Sequence, residues 1–274
     1  MNLLFDMQLI NKNRLRSLRQ KDFSSHFLLD IVAKEISFRL NMINKTFDNA
    51  MELHGATGIV GRTCMKTQKI SRMIRTEIST EFSTSDNKVL ACPLEDIPSI
   101  PQPIDLILSP LNLHIINDTL GMFLKIKNTL KLGGVFLAAI PGVGTLRELR
   151  KSLLQAETEI TGGASPRIIP FMDIKSAGAL MQKAGFISPI IDQDNYTVYY
   201  KSMFHLMHDL RKMGMSNPLI HRSTTPPKKS LFTRAAEIYA EENSDSTGNV
   251  TANFSIIYLI GWKSSTSKEE KIVK

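Results

Sequence analysis

With 274 residues, 42% of them hydrophobic, the chain can bury one sizeable core with an appended subdomain, but not three independent domains. Its formal charge of +8 suits an acidic partner, an anionic lipid surface or nucleic acid, yet no zinc-finger, KH or RRM signature accompanies it and no nucleic-acid binding is expected. The two cysteines, Cys64 and Cys92, match no zinc spacing, and no apolar run approaches the roughly 20 residues of a membrane span. The expectation is a cytoplasmic chain with reduced cysteines and no metal site, with peripheral attachment to the inner face of a membrane as the alternative.

The opening carries Lys12, Arg14, Arg16, Arg19 and Lys21, and a second basic run follows at Arg62, Lys66, Lys69, Arg72 and Arg75; both read first as solvated surface. From Phe23 to about Met42, Phe27, Leu28, Ile31, Val32, Ile36 and Leu40 recur at helical steps, so an amphipathic leading helix is predicted. Five short apolar runs come next: NAMEL, RMIRTEI, KVLAC, IDLILS and GGVFLAAI. Strands apolar on both faces and alternating with helices predict a mostly parallel sheet covered on both sides. The helix before the fifth run is capped by Asp118 or Thr119, with Asn117 read as a capping residue too, and is expected to end at Gly133 and Gly134.

Beyond Pro141 a long helix runs from Thr145 to the stop at Gly162 and Gly163. A helix over about Asp173 to Ala184 leads into the strand ISPIIDQ, and Lys201 to Met213 forms a packed helix with a methionine stripe that reads as core. An exposed loop at Thr224 to Lys229, a helix from Leu231 to Glu242 and the strand NFSIIYLIGWK close the domain. The division expected is a leading segment over 1–46, one domain over 47–263 and a frayed polar tail over 264–274.

In a doubly wound sheet the ligand lies at the carboxyl ends of the strands, where the first strand-to-helix turn lets backbone approach it. That turn is ELHGATG, Glu52 to Gly58, with Gly55 and Gly58 as the flexible positions and a helix starting near Ile59. Neither G-x-G-x-x-G nor a Walker A lysine motif is present, which disfavours dinucleotides and nucleoside triphosphates. Glu77 ends the second run, where an acid can accept two ribose hydroxyls; an exposed strand-end glutamate is the equal alternative. His114 follows the fourth run in SPLNLHIIND and is the one catalytic candidate, for orienting a substrate or moving a proton, although a lone histidine at such a junction is more often structural.

These segments resemble one family: the methyltransferase-like assembly factors of respiratory complex I and their alphaproteobacterial relatives, themselves similar to malonyl-carrier-protein methyltransferases. The resemblance extends from LFDMQLI to about Lys263. Its most specific pieces are GTLRELRKSLLQAETEITGGASPRIIPF, AGFISPIIDQD, MFHLMHDLRKMGMSN and IIYLIGWK. It implies an α/β, Rossmann-like class I methyltransferase fold with a seven-stranded, mostly parallel sheet and helices on both faces. It also implies S-adenosylmethionine as cofactor, held by Glu52, His54, Gly55, Gly58, Glu77, Cys92 and Ser109, with Glu77 at the ribose.

Several positions depart from the family pattern. In a turn that usually reads D-x-G-x-G-x-G, His54 and Ala56 replace the first two glycines. Cys92 stands where an adenine-side aspartate is expected, with Glu95 or Asp96 as substitutes; Ile115 replaces a tryptophan, and Gly144 an acid. The function implied is methyl transfer to a protein substrate during complex I assembly, the partner being a subunit of that complex. The alternative is an assembly factor with an eroded cofactor site, or of hydroxylase type, that binds such a subunit without methyl transfer.

Overall fold

The computed structural model describes residues 3–20, 22, 25–85 and 88–265. Lys21 of the first basic cluster, Phe23 of the leading helix and residues 266–274 of the tail lie outside them. The elements run α1 (Met7–Arg19), α2 (Phe27–Met42), β1 (Phe47–Leu53), α3 (Ile59–Met65), β2 (Ile70–Glu77), β3 (Val89–Ala91), β4 (Ile104–Pro110), α4 (Thr119–Thr129), β5 (Leu130–Pro141), α5 (Arg147–Thr161), α6 (Ile174–Lys183), β6 (Ile187–Tyr200), α7 (Met203–Lys212), α8 (Lys229–Asn243) and β7 (Val250–Trp262). The seven strands form one mixed sheet in the order β3-β2-β1-β4-β5-β7-β6. Strands β3, β2, β1, β4 and β5 pair in parallel. β7 runs antiparallel to β5: Gly133 and Gly134 bond to Lys263 at one end and Gly142 to Ser255 at the other, so one strand's numbers rise as the other's fall. No helix among the described residues is long and apolar enough to cross a membrane.

Contacts cluster into two units. One comprises His26–Pro141, Met172–Asp194 and Ile257–Lys274 and holds the parallel strands. Its core explains the continuous apolar runs: β4 is buried at all seven positions because helices cover a parallel sheet. The leading helix α2 buries Leu28, Leu29, Val32, Ala33, Ile36 and Leu40 against α3, β4 and β5. On its other side Arg39 pairs with Glu35 and with Asp192 and Asp194 of β6, and its guanidinium carbon lies 4.4 Å from the Tyr258 ring centroid. Two sequence expectations are corrected here. α4 ends at Thr129, and Gly133 and Gly134 lie inside β5, in a bulge where β5 advances five residues against two of β4; Gly133 takes φ +69°, which a β-carbon disfavours. The second basic run is not one solvated surface either, since Arg75 is fully buried and the Lys69 ammonium caps α2 by donating to the carbonyls of Leu40, Asn41 and Ile43.

The other unit comprises Met1–Ser25, Gly142–Phe171 and Asn195–Ile256. Its first helix, α1, has no counterpart in the sequence reading because the buried stripe is Ile10, Asn13 and Ser17, which carries little hydrophobic signal. Polar pairing takes its place: Asp6 accepts from the Leu9 amide at 3.0 Å, the Ser17 hydroxyl donates to the Lys212 carbonyl, and Arg16 donates to the Ser216 hydroxyl. α5 packs against α8, and Glu157 at its end holds the next loop by four hydrogen bonds, two from Arg167 and two from Ser165. Burial alone pushes the Glu157 carboxyl up, but Arg167 and the Ser165 amide and hydroxyl outweigh it and hold the group below its usual range. A lowered acid contributes stability above its unfolded value and loses it as pH falls through the folded one. Amide exchange of residues 163–168 is therefore expected to accelerate selectively below about pH 4, and Glu157→Gln to abolish that acid step; equal pH profiles for the two proteins would refute the tether.

Candidate functional site

β1 sits between β2 and β4 in the sheet, so the chain order reverses at its carboxyl end and opens the crevice in which doubly wound folds hold ligands. The turn that follows β1 has an unusual backbone: His54, Ala56 and Gly58 take φ +50°, +53° and +69°, the left-handed region, at alternate positions. Glycine would do so freely, whereas for other L-residues the conformation costs about 1–2 kcal/mol each. The positions where the family pattern has glycines thus keep the glycine conformation even where the residues are histidine and alanine. Of the six non-glycine residues at positive φ among the described residues, four (His54, Ala56, Leu111 and Leu146) follow the carboxyl ends of β1, β4 and β5. Strain held at ligand-facing loops is a mark of function.

Beneath the turn lies a buried ion pair. Glu52 and Arg75 are register partners on β1 and β2; Arg75 Nε donates to Glu52 Oε2 at 2.8 Å, and Arg75 Nη2 donates to the Ala56 carbonyl at 3.0 Å. Glu52 Oε1 accepts from the Gly61 amide of α3 at 3.0 Å. The glycines of the turn make room for this pair: a β-carbon on Gly55 would come within 2.4 Å of Glu52 Oε1, and one on Gly58 within 2.4 Å of Arg75 Cζ. Burial pushes the Glu52 carboxyl up, with Arg75 and the Gly61 amide pulling against it.

Glu77, read as the ribose acid, is 0% exposed. Its Oε1 accepts from the Ala56 amide at 2.5 Å, and its Oε2 is 4.0 Å from Nδ1 of His54, itself 1% exposed. Cys92 follows β3 and donates its amide to the Glu77 carbonyl at 2.8 Å, which brings the third strand's end beside the second's. Its thiol is pushed up to about 11 and that of Cys64 to about 12, in both chiefly by burial, so neither is a ready nucleophile. The two substitutes for a missing acid are engaged elsewhere: Glu95 accepts from the Asn117 amide and Asp96 pairs with Lys125 at 3.0 Å. Asp118 does cap α4, accepting from Gly121 at 2.8 Å.

Ser109, at the end of β4, donates to Asn112 Oδ1, and Asn112 Nδ2 donates to the carbonyl of Leu53 at 3.1 Å. Asn112 was missed in sequence; it is fully buried and ties β4 to the last residue of β1, and an asparagine three residues after a strand-end serine carries no pattern of its own. His114 lies in a single 3-10 turn, Leu113–Ile115, half-buried. The structure therefore gathers Glu52, His54, Gly55, Gly58, Glu77 and Cys92 about one turn, with Ser109 joined to it through Asn112.

S-adenosylmethionine is the cofactor this fold implies. The turn keeps a left-handed backbone at 54, 56 and 58, but its side chains do not fit that group as arranged: the carboxylate of Glu77, read in sequence as the ribose acid, accepts from the turn's own amide, and His54 and Ala56 place β-carbons where glycines would leave space.

The sheet order and the acid-bearing turn at its switch point define a protein of the Rossmann-like methyltransferase fold. Two solved structures share that fold. The YcgJ protein of Bacillus subtilis superposes with a TM-score of 0.57 over 88% of this chain and 100% of its own, at 10% identity. A candidate methyltransferase of Bacillus halodurans gives 0.57 over 85% and 98%, at 9% identity. No protein-family model matches the chain. By sequence it is 34% identical over 274 residues to the mitochondrial arginine-hydroxylase NDUFAF5 of Mus musculus, covering 95% of this chain and 77% of the relative. The human protein of that name gives 34% over 268 residues with the same coverage. A malonyl-[acyl-carrier protein] O-methyltransferase of Xylella fastidiosa is 31% identical over 166 residues, 61% of this chain and 54% of the enzyme. The chain belongs to the NDUFAF5 family, the methyltransferase-fold assembly factors of respiratory complex I.

Proposed function

We propose that this chain assists complex I assembly by binding a protein subunit of the complex and presenting an arginine of it for hydroxylation by dioxygen, without transferring a methyl group. One oxygen atom enters a C–H bond of the arginine and the other leaves as water, with two electrons and two protons from an external reductant. The relatives that match nearly its whole length carry the name arginine-hydroxylase, whereas the O-methyltransferase of Xylella matches 61% of it. The observation that carries the reading is the closed turn: the Ala56 amide occupies Glu77, and His54 and Ala56 take the glycine places. A site that binds S-adenosylmethionine productively gives the ribose a free carboxylate, and a buried one already satisfied by protein has little to gain from a hydroxyl.

The second reading is methyl transfer from S-adenosylmethionine to a protein acceptor, and the left-handed backbone retained at 54, 56 and 58 favours it. There Glu52, His54, Gly55, Gly58, Glu77, Cys92 and Ser109 surround the cofactor, Glu77 at the ribose and Cys92 at the adenine, with His114 toward the acceptor. Methyl transfer relies mainly on proximity and orientation, so it needs no stronger base.

Mass spectrometry of complex I subunits from cells with and without the gene separates the two. The expected result is an arginine that gains the mass of one oxygen atom only when the protein is present. A gain of one methylene mass instead would establish the second reading, and unmodified subunits in both strains would leave neither.

A further inference from the structure

Helix α7 has two working faces. Met203, Leu206 and Leu210 are buried, as a packed helix requires, but Phe204, Met207, His208 and Arg211 follow at the i, i+3, i+4 and i+7 steps of another face. Phe204 is 49% exposed, His208 and Arg211 are exposed, and Met207 is half-buried. This face lines a cleft of about 480 Å³ together with Phe232 of α8, the loop residues Ile168 and Met215, and the buried Leu149 and Leu153 of α5. Two phenylalanines, two methionines and two arginines line it, with no lysine or acid among the described residues. Protein interfaces have that composition, enriched in aromatic residues, methionine and arginine and depleted in lysine and acids. Small-ligand pockets are built differently, with a few polar groups converging in an enclosed interior. Here the buried lining residues are all leucines, Leu149, Leu153 and Leu210, and the polar ones are exposed or half-buried.

We propose that this cleft docks an amphipathic helix of a protein partner, its apolar stripe laid along α7 and acidic residues on its flank facing Arg211 and α1. The charge argument is one of sign. Arg167 is neutralised by Glu157, but Arg211 has no ion pair among the described residues. At the cleft's edge Ser216 accepts from Arg16 at 3.0 Å, which brings α1 alongside, and α1 exposes Lys12 and Arg16 and contains no acid. The one acid of α7, Asp209, already accepts from the Ser25 hydroxyl at 2.8 Å. A helix suits the cleft because the open ridge of α7 repeats at helical steps, and a second helix presents its own anchors at i, i+3, i+4 and i+7 to such a ridge. Met207 and Met215, unbranched and polarizable, can adapt to those anchors. The proposed function names no docking surface, and all the residues of this cleft belong to the unit that does not hold the turn after β1.

The test is NMR titration of the full-length protein at low salt with two amphipathic peptides of about 18 residues, long enough to hold a helix, with leucines at i, i+3, i+4 and i+7 and either glutamates or lysines on the flanks. The glutamate peptide is expected to saturate and to shift resonances of α5, α7 and α8, and the lysine peptide to bind at least about tenfold more weakly. Arg211→Glu is expected to reverse that preference, and Phe204→Ala to weaken the glutamate peptide by about tenfold or more. Both side chains are exposed, so both variants are expected to fold; should Phe204→Ala unfold, the reversal by Arg211→Glu decides alone. No saturable binding of the glutamate peptide, equal binding of the two peptides, or an unchanged preference in Arg211→Glu overturns the proposal. Dodecanoate shifting the same resonances where the glutamate peptide does not would overturn it too, giving the cleft to a small amphiphile. Dimerisation abolished by Phe204→Ala, with no peptide binding, would give it to a second copy of this chain. Each of these failures leaves the proposed function standing, since that is read from the mass of a subunit arginine. Peptide binding as expected, with no oxygen gained on that arginine, would keep the cleft and remove the function.

Discussion

Arg75→Met is expected to lower the unfolding free energy by about 3–5 kcal/mol, because it strands a fully buried Glu52 without its cation. Loss of the bond to the Ala56 carbonyl loosens the turn as well. Denaturant midpoints for Arg75→Met, Glu52→Gln and the double variant measure the coupling. The double variant is expected to recover part of the loss, since an apolar side chain beside a neutral amide leaves no buried charge. The deficit of Arg75→Met also has a pH signature. Burial already raises the Glu52 carboxyl, and removal of Arg75 raises it further. A raised acid costs nothing below its unfolded value of about 4.3 and loses stability as pH rises through its folded value, so the deficit is expected to be large at pH 7 and to shrink toward pH 4. A midpoint for Arg75→Met within about 1 kcal/mol of the parent at pH 7 would mean that the pair does not hold the turn.

The second large effect concerns the cofactor. His54→Gly with Ala56→Gly returns glycine to two left-handed positions and removes the imidazole whose Nδ1 lies 4.0 Å from Glu77. Calorimetry with S-adenosylmethionine and S-adenosylhomocysteine is expected to give no measurable heat for the parent at micromolar ligand. For the double variant, binding tighter by about a hundredfold is expected, the equivalent of two or three regained hydrogen bonds. Ala56→Gly alone is expected to be neutral to about 1 kcal/mol stabilising, because relief of the left-handed strain exceeds the entropy that glycine adds to the unfolded chain. Micromolar binding by the parent, lost in Glu77→Gln, would show instead that the turn opens on its own and that Ala56 yields Glu77 to the ribose. Unchanged weak binding in the double variant would place the obstacle at the residue-56 amide on Glu77, which glycine keeps, or at Cys92.

The parallel strands were legible because each is a short run apolar on both faces, and a two-sided covered sheet demands that pattern. Helices α5, α6 and α8 were legible because their apolar stripes end at recognisable stops: Gly162 in the left-handed conformation for α5, and the Asp173 cap at the start of α6. Two elements were read short or not at all, for one physical reason. α1 buries small polar residues, and β6 runs on from its apolar start through Asp192, Asp194 and Asn195 as a half-exposed edge strand of the sheet. Polar contacts hold them in place, and polar contacts leave no periodic hydrophobic trace.

At the site the division is similar. The sequence by itself determined a mostly parallel α/β sheet, the location of the turn at Glu52 to Gly58 and the placing of an acid at the end of the second strand, since these follow from local spacing along the chain; the methyltransferase class of that sheet came from the family resemblance. Only the tertiary structure decided what those residues do to one another. Arg75, counted in sequence with a basic surface, comes into register with Glu52 and turns inward. Glu77 is spent on the Ala56 amide, and Asn112 links β4 to β1. Each of these depends on the parallel register of strands distant in sequence. Register is set by how whole strands pack across the sheet, whereas residue spacing reports only what neighbours along one strand or one helix face can do.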